Sequence, residues 1–503
     1  MERSMVVKLA VGEKGVVSDH PLATLVGVNV LKNGGNAFDA AIAVSAVLSV
    51  VQPHMGGPGG DAFLIGFIGD EVVAYASSGR SPSGFNAEEY LRYKPSRGPL
   101  TVTVPGLVKL WGEIYEKYAS KPLEILLEPA IKLAYQGFLV GWSLSRSSQQ
   151  MEEELSSYRW SKYFKGLKLG VLYRNIDMAQ TLRLIATRGC DEFYYGESAE
   201  NVVTELTEQG VNIGLDDLME HESYEVTPLK YEVDNKTLYE LPPNTQGLST
   251  LQLISALYEL ELFKDPFDSP VRILKWKEPT VNVYLFRDLN LGDPDYMIID
   301  PQDYVSYSSI TKQLENTPPR GNLAEGETTF FIVSDGNSIV GFIQSLFYPF
   351  GSGLVVQGFP VQNRGVGFAK TENLPNSPAP RKRPLHTLSI LGVDLGEEKY
   401  IIGCVGGDLR PQLHLRVYEN VFVYGMHPAK AVNMPRFIYT RTSEPVEVVV
   451  EEPLKQPAIS NSLVVRKVGY FELPGHVHVG VLKKDKRLEL ACDARSEGVA
   501  QAV

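Results

Sequence analysis

The sequence contains few cysteines, no long hydrophobic run and no excess of positive charge. Its 503 residues include only Cys190, Cys404 and Cys492, none in a CxxC motif, which excludes a disulfide framework and gives no indication of an oxidising compartment. The net charge of −12 gives the chain no electrostatic reason to bind nucleic acid or an anionic membrane. The longest apolar stretch, 40–51, is shorter than the roughly 20 residues that span a bilayer.

The sequence also shows no pattern typical of a targeting segment or of a metal site. Lys8, Glu13 and Lys14 interrupt the N-terminal region before it could form the apolar part of a signal peptide. Histidines, cysteines and acidic residues show no metal-ligand spacing. We therefore expect a cytoplasmic protein without a metal or other cofactor, and without membrane or nucleic-acid partners.

The composition is that of a folded globular protein. Apolar residues make up 44% and charged residues 21%, which excludes a disordered or fibrous chain. We find neither an internal repeat nor a low-complexity linker, so the sequence indicates no clear domain boundary.

Helical patterns dominate the first part of the chain. Asp19 is predicted to cap a helix that starts near Pro21, and Asn36 to cap a second helix. The second helix, 37–51, is apolar on nearly every side and should be buried all round. Further helices are predicted at 106–118, 123–135, 177–187, 198–208 and 248–261.

Three strand pairs are predicted, at 62–68 with 71–76, 329–334 with 338–346, and 387–393 with 400–404. Gly69-Asp70 joins the first pair and Asp335-Gly336-Asn337 the second, both typical tight turns. Apolar strands combined with helices favour sheets buried between helix layers. The Gly- and Pro-rich stretch 53–60 is suited to passing close to another segment.

Two segments draw attention for their chemistry. Thr328 opens a strand after a loop that contains Pro318, Pro319 and Gly326, and by itself a Thr there is typical of a strand start. Gly406-Gly407 follows another strand, where two backbone N–H groups can point the same way, although a plain turn has the same pattern. No GxSxG segment is present, so a serine-hydrolase triad has no support.

Ten short segments, in the same order as in a known family, carry a resemblance that none of them carries alone. The sequence resembles the gamma-glutamyltranspeptidase family of N-terminal-nucleophile hydrolases. The matching segments are LKNGGNAFDAA (31–41), VQPHMGGPGGDAF (51–63), VPG (104–106), LPPNTQG (241–247), ETTFF (327–331), FGSG (350–353), KRPL (382–385), VGG (405–407), MPRF (434–437) and ACDARSEG (491–498).

This resemblance implies a four-layer αββα fold of the α+β class, made as an inactive precursor. The precursor would cut itself before Thr328, and the pieces 1–327 and 328–503 would form a heterodimer, with further oligomerisation left open. By the same resemblance Ser345 is a second hydroxyl beside the nucleophile, and Gly406 and Gly407 supply the oxyanion hole. The freed α-amine, with a pKa near ~7.7–8, could take the proton from Thr328 Oγ.

The sequence departs from the family where the γ-glutamyl group is held. Ser78 stands in place of an Arg that binds the α-carboxylate, with Arg80 two positions on. His386 and Thr387 replace two serines of the same clamp. A carboxylate without its Arg loses a charge-assisted, bidentate partner.

The amine side of that clamp is altered as well. Gly367 occupies the position of an acid and Phe347 that of an Asn, whereas Arg364 adds a positive charge that would repel an α-amine. Gln344, Asn363 and Arg364 are included with Ser78, Arg80, His386 and Thr387 in the predicted substrate-binding set.

Three functions remain open from the sequence. The first is a γ-glutamyl hydrolase or transferase for glutathione-like amides, indicated by the family. The second is an acylase for another amide, such as a glutaryl, cephalosporin-like or cyclic amide, indicated by the altered clamp. The third is a binding protein that never matures, which the presence of Thr328, Ser345 and Gly406 argues against.

Overall fold

The structure is a computed structural model that describes residues 7–314, 321–458 and 460–503. Pro318 and Pro319 of the loop predicted before Thr328 lie outside these residues. Within the described ranges, no helix has the length and apolar character needed to cross a membrane.

The strands are short to medium in length. In chain order they are β1 Lys8–Gly12, β2 Gly15–Ser18, β3 Asp61–Ile68, β4 Glu71–Ser77, β5 Phe138–Leu139, β6 Leu172–Tyr173, β7 Tyr224–Glu225, β8 Leu229–Val233, β9 Lys236–Glu240, β10 Glu327–Ser334, β11 Ser338–Phe347, β12 Val355–Val356, β13 Phe359–Pro360, β14 Ile390–Asp394, β15 Glu398–Val405, β16 Phe437–Arg441, β17 Val446–Glu451, β18 Leu463–Val468, β19 His476–Lys483, β20 Leu488–Cys492 and β21 Val499–Ala502.

Most helices lie between β4 and β10. The α-helices are α1 Pro21–Lys32, α2 Ala37–Val51, α3 Ala87–Tyr93, α4 Leu107–Tyr118, α5 Leu123–Gln136, α6 Trp142–Gln150, α7 Glu152–Leu155, α8 Trp160–Phe164, α9 Ile176–Arg188, α10 Glu192–Tyr195, α11 Glu197–Glu208, α12 Leu215–Met219, α13 Gly247–Glu259, α14 Pro270–Lys275, α15 Lys277–Asn290, α16 Tyr307–Thr311, α17 Arg410–Tyr418 and α18 Pro428–Ala431.

Two seven-stranded sheets form the centre. One has the order β21-β2-β10-β11-β3-β4-β7, and we call it the nucleophile sheet because β10 contains Thr328, the predicted nucleophile. The other has the order β1-β20-β19-β15-β14-β9-β8. The pairings of β3 with β4, of β10 with β11 and of β14 with β15 are antiparallel, which confirms the three predicted strand pairs.

Alternating side chains show how the layers stack. On β10, Phe331 and Val333 pack with helices α1 and α2, whereas Phe330 and Ile332 pack between the two sheets. The outer face of the second sheet packs on α13 and α17. The order of layers is therefore helix, sheet, sheet, helix, as the four-layer αββα prediction requires.

The helix predictions hold with one correction at a cap. Asn36 caps α2, and every residue of Ala37–Val51 is buried. The first helix is capped by His20, whose Nδ1 accepts from Leu22 N at 3.2 Å, and not by Asp19. Asp19 is unavailable because its carboxylate accepts the N–H of Phe330 on β10 at 2.8 Å.

The third predicted strand pair begins later than expected. The prediction starts the strand at 387, whereas β14 begins at Ile390. The carbonyl of Thr387 accepts hydrogen bonds from the side chains of Gln246 and Arg410, so it cannot join the sheet. Outside the strand, Thr387 contacts both Arg364 and Arg410.

Candidate active site

A bulge in the nucleophile sheet brings the two candidate hydroxyls together. Along β10 and β11, Glu327 pairs with Phe347 and Thr329 with Gln344. Thr328 alone therefore faces two residues of β11, one of which is Ser345. Both hydroxyls are buried, and Thr328 Oγ1 lies 3.3 Å from Ser345 Oγ.

The carbonyl of Glu327 lies between these hydroxyls in the uncut chain. Thr328 Oγ1 is 2.7 Å from Glu327 O, and Ser345 Oγ donates to the same oxygen at 2.9 Å. Ser345 Oγ in turn accepts the N–H of Phe347 at 2.8 Å, which fixes its orientation. The peptide bond before Thr328 thus carries a hydrogen-bonded, polarised carbonyl next to a hydroxyl.

Two buried guanidinium groups flank the hydroxyl pair. Arg410 Nη2 donates to Thr328 Oγ1 at 3.2 Å, and Arg364 Nη2 donates to Ser345 Oγ at 3.1 Å. Arg364 Nη1 also donates to Thr387 Oγ1 at 3.2 Å, while Arg410 Nη1 donates to Thr387 O. Thr387 therefore bridges the two arginines.

The two positive charges are costly to bury at this site. Burial lowers the pKa of Arg364 to about 9, with Asp61 opposing that shift and Arg410 adding to it. Burial also lowers the pKa of Arg410. The guanidinium of Arg364 lies over the ring of Phe347, 4.5 Å from its centroid, which offsets part of the cost.

His386 forms a buried pair with Asp61. His386 Nδ1 accepts the N–H of Leu388 at 3.3 Å, so Nε2 carries the proton and donates to Asp61 Oδ2 at 3.1 Å. Burial first, and then the charge of Arg364, holds the pKa of His386 well below its usual value. Burial raises the pKa of Asp61 to about 7. The imidazole is thus neutral and Asp61 titrates near neutral pH.

Gly406 and Gly407 lie against the segment that precedes Thr328. Gly407 has φ +56°, and a Cβ on it would lie 2.5 Å from both Ala324 O and Gly326 N. Only glycine lets the two backbones approach so closely. Asp408 holds the same segment, since its N–H donates to Ala324 O at 2.9 Å and its carboxylate accepts Ala324 N at 2.9 Å.

A large cavity reaches the bond before Thr328. Its volume is 860 Å³, and Glu325, Gly326, Glu327 and Gly406 form part of its wall. The remaining wall mixes apolar residues with charged or titratable ones, among them Arg146, Glu472, His476, Arg495 and Glu497. Water therefore has access to the peptide segment from this side.

Ser78 and Arg80 differ in burial and in their position relative to His386. Ser78 is buried near His386, because Asn244 Nδ2 donates to Ser78 Oγ at 3.0 Å and His386 N donates to Asn244 O at 2.7 Å. Arg80 is 37% exposed and pairs with Asp295 at 2.8 Å. It borders a separate cavity of 240 Å³, whose wall does not include Thr328 among the described residues.

Gln344 and Asn363 turn away from the hydroxyl pair. Gln344 faces the helix layer, where its side chain bonds to Ser45 and lies 3.3 Å from Ser49 Oγ on α2. Asn363 fixes two loops, donating to Ser96 O at 2.8 Å and accepting from Tyr348 N at 3.1 Å. Of the predicted substrate-binding set, Arg364 contacts Ser345, Thr387 joins them through Arg364, and His386 joins them through Asp61, which pairs with Ser345.

Asp19, His476 and His478 form a cluster at the cavity wall, to which Asp19 and His476 belong, and their potential ligand atoms lie within 4.8 Å of one another. Its geometry is that of a hydrogen-bonded cluster. Nε2 of His476 and Nε2 of His478 lie 2.6 and 2.8 Å from the same oxygen, Asp19 Oδ1. The sequence spacing could not predict this cluster, because the chain separates Asp19 from the histidines by most of its length.

Two residues next to the site escaped the sequence analysis. Arg410 follows Gly407 at the third position, and its long side chain reaches back to Thr328. Asp61 comes directly after the glycines of the 53–60 stretch and faces His386. The signal that both share is a charged residue shortly after a glycine pair, directly after it for Asp61 and three positions after it for Arg410.

Known proteins resemble this chain over nearly its whole length. The family model described as gamma-glutamyltranspeptidase matches residues 23–503. The chain is 32% identical to the glutathione hydrolase-like YwrD proenzyme of Bacillus subtilis, over 99% of this chain and 100% of that protein. It is 30% identical to the oxamate amidohydrolase proenzyme of Klebsiella pneumoniae, over 96% and 97%.

A solved structure of similar sequence has the same overall fold. The crystal structure of a cephalosporin acylase from Bacillus halodurans superimposes with a TM-score of 0.87 at 26% identity. That match covers 100% of this chain and 97% of the other.

Proposed function

The chain belongs to the gamma-glutamyltranspeptidase family, and we propose that it is a self-cleaving amide hydrolase whose nucleophile is Thr328. The observation that carries the proposal is the pair of hydroxyls, Thr328 Oγ1 and Ser345 Oγ, on the carbonyl oxygen of Glu327. The names of its relatives, two of them proenzymes, support the same reading.

Self-cleavage follows from the positions of these groups. Thr328 Oγ1 attacks the carbonyl carbon of Glu327, and Ser345 stabilises the negative charge that develops on the carbonyl oxygen. The C–N bond breaks as the departing nitrogen takes the hydroxyl proton, which leaves an ester and a free α-amine. Water from the cavity then hydrolyses the ester. The products are the chains 1–327 and 328–503, held together as a heterodimer by the shared nucleophile sheet.

The mature enzyme uses the same threonine on an external amide. The α-amine of Thr328 takes the Oγ1 proton, and Oγ1 attacks the substrate carbonyl carbon. The N–H groups of Gly406 and Gly407 receive the oxyanion, each donor being worth ~2.7–4 kcal/mol. The amine leaves with the proton held by the α-ammonium. Water then releases the acid, or a second amine takes the acyl group, and Thr328 is regenerated.

Intact mass spectrometry of two matched variants tests the nucleophile. Thr328→Val removes the attacking hydroxyl, so we expect a single uncut chain. Thr329→Val is the control, because Thr329 Oγ1 is buried without a hydrogen-bond partner in the part of the chain that the structure describes. We expect wild type and Thr329→Val to be cut between Glu327 and Thr328. Cleavage of Thr328→Val at the same bond would contradict the proposal.

The second question is which acyl group the enzyme releases from its amide substrate. A glutathione-type γ-glutamyl amide is one candidate, supported by the family and by the name of the Bacillus subtilis relative. A different acyl group is the other, supported by the oxamate amidohydrolase and cephalosporin acylase names.

The packing around Gly367 favours the second candidate. A Cβ on Gly367 would lie 2.4 Å from Leu385 O, so the acid that would pair with a γ-glutamyl amine has no room here. Arg364 is buried close by and would repel that amine. Release of p-nitroaniline from γ-glutamyl-p-nitroanilide by the mature enzyme, beside acetyl-p-nitroanilide, separates the candidates. A glutathione hydrolase would strongly prefer the first compound.

A further inference from the structure

Most buried arginines in the described part of the chain have a carboxylate partner. The buried arginines of the described residues are Arg272, Arg287, Arg364, Arg383, Arg410, Arg416 and Arg436. Five of these seven have a carboxylate oxygen within 4.0 Å. The two without one, across the part of the chain that is described, are Arg364 and Arg410. Both donate to the catalytic hydroxyls.

The partners of these two arginines do not neutralise them. Arg410 donates to neutral oxygens, those of Cys404, Thr387 and Thr328. Arg364 donates to two hydroxyls, and its Nε is buried with no hydrogen-bond partner among the described atoms. The charges of Asp61 and, more weakly, Asp408 act on Arg364 without an ion pair, and Asp61 is already bonded to His386, Gln362 and Gly79.

One edge of Arg364 has the geometry of a carboxylate-binding fork. Nη2 contacts only the Ser345 hydroxyl, and the adjacent Nε is free. Two parallel N–H groups on one side of a guanidinium match the two oxygens of a carboxylate. A buried charge without a partner is costly, and an anionic ligand removes that cost.

We propose that the Nε–Nη2 edge of Arg364 binds a carboxylate carried by the acyl part of the substrate. The proposal rests on the amide hydrolase function of Thr328 and names its substrate class, the half-amides of short dicarboxylic acids. Arg410 lies on the far side of Thr387 and adds positive potential to the same site.

The distances limit the length of the acyl group. Arg364 Nη2 is 3.1 Å from Ser345 Oγ, which is 2.9 Å from the carbonyl oxygen of Glu327. The bound carboxylate is therefore only a few bonds away from the carbonyl that Thr328 attacks. Two guanidinium groups at this place also disfavour an ammonium group on the acyl chain, because like charges repel at short range.

Matched anilides test the substrate class. Succinyl-p-nitroanilide and acetyl-p-nitroanilide share the leaving group and differ in the terminal carboxylate. We expect the mature wild-type enzyme to prefer the succinyl compound in kcat/KM by about 10- to 100-fold, the factor supplied by hydrogen bonds to a charged group. In Arg364→Met the ratio of the two values should fall close to one, and Arg364→Lys should retain part of it.

A surface arginine provides the control. Arg188 is half exposed and lies at the end of α9, so Arg188→Met should keep the wild-type ratio. Because Arg364 also orients Ser345, the ratio between the two substrates is the readout that a general loss of activity does not move. Equal kcat/KM values for both anilides in the wild type, or an unchanged ratio in Arg364→Met, would overturn this inference and leave the proposed amide hydrolase function standing.

Inhibition of the wild type keeps the inference testable if Arg364→Met fails to mature. Succinate and its neutral counterpart succinamide have the same length. We expect succinate to compete with succinyl-p-nitroanilide at a concentration at least tenfold lower than succinamide, and equal inhibition would overturn the inference. A wild-type chain that is never cut, or that hydrolyses no anilide, overturns the proposed function and the inference with it.

Discussion

Two arginine clusters in this protein differ in one respect. Near the C-terminus, Arg436 and Arg495 surround Asp493, with Arg436 Nη2 and Arg495 Nη1 at 2.5 and 3.0 Å from its oxygens. Around Thr328, Arg364 and Arg410 have hydroxyl and carbonyl partners and no carboxylate within the described part of the chain.

The difference separates a structural use of arginine from a functional one. A free N–H group does not distinguish the two clusters, since Nε of Arg436 also lacks a partner among the described atoms. The presence or absence of a paired carboxylate does distinguish them. Asp493 has its pKa held below the usual range by both arginines, despite its burial, so that cluster is neutralised internally. The cluster at Thr328 leaves its positive charge for a ligand.

Removing the counter-charge from the structural cluster should have the largest effect. Asp493→Asn leaves Arg436 and Arg495 buried with one carboxylate fewer, and breaking a buried ion pair costs about 3–5 kcal/mol. Arg364→Met removes a buried charge that is not paired with a carboxylate, so it should leave the free energy of unfolding unchanged or raise it. Urea unfolding in the uncut Thr328→Val background measures both. Similar losses in the two variants would abolish the distinction between the clusters.

A smaller effect is expected on the rate of self-cleavage. Arg410 Nη2 donates to Thr328 Oγ1, and this hydrogen bond favours the negative charge that Oγ1 gains as it loses its proton. Arg410→Met should slow cleavage about 100-fold, the usual loss for one donor at a developing charge. The rate is followed as the conversion of the uncut chain on a gel after synthesis in a cell-free system. Cleavage at the wild-type rate would show that Arg410 acts on the substrate alone.

The smallest effect concerns pH. The pKa of Asp61 is about 7 in the folded protein, against ~3.9 in an unfolded chain. Between these values the folded state holds the proton and the unfolded state does not, so the free energy of unfolding falls as pH rises. Asp61→Asn removes this titration.

Unfolding at pH 5 and pH 8 measures that difference. Between these two values, the stability of Asp61→Asn should fall less than that of the parent chain, by on the order of 2 kcal/mol. The Thr328→Val background again provides a single uncut chain. An identical fall in both proteins would mean that Asp61 is charged throughout this range, and Arg364 would then have a permanent counter-charge.

The sequence was sufficient to predict several of the elements and to single out Thr328 and Ser345 as candidates. Periodicity predicts the fully buried helix α2 and the antiparallel pairs of the sheets, because these depend on local alternation of apolar residues. The resemblance to the family points to Thr328 and Ser345, which the bulge between β10 and β11 brings within 3.3 Å.

The orientation of the remaining side chains could not be predicted. Gln344 directly precedes Ser345 and faces the opposite side of the sheet, which follows from strand geometry only once the register is known. Asp19 looks like a helix cap, yet it accepts an N–H from a strand more than 300 residues away in the chain. Arg410 reaches Thr328 from the first residue of helix α17. These contacts arise from packing between layers, to which local sequence patterns do not respond.

A comparison of glutaryl-p-nitroanilide with γ-glutamyl-p-nitroanilide tests the account most directly. The two compounds share the carboxylate, the chain length and the leaving group, and they differ in one ammonium group. If Arg364 and Arg410 hold an uncompensated positive charge for the acyl carboxylate, the mature enzyme will hydrolyse the glutaryl compound with the higher kcat/KM. A clear preference for the γ-glutamyl compound would contradict this account and would make the protein a glutathione-type hydrolase.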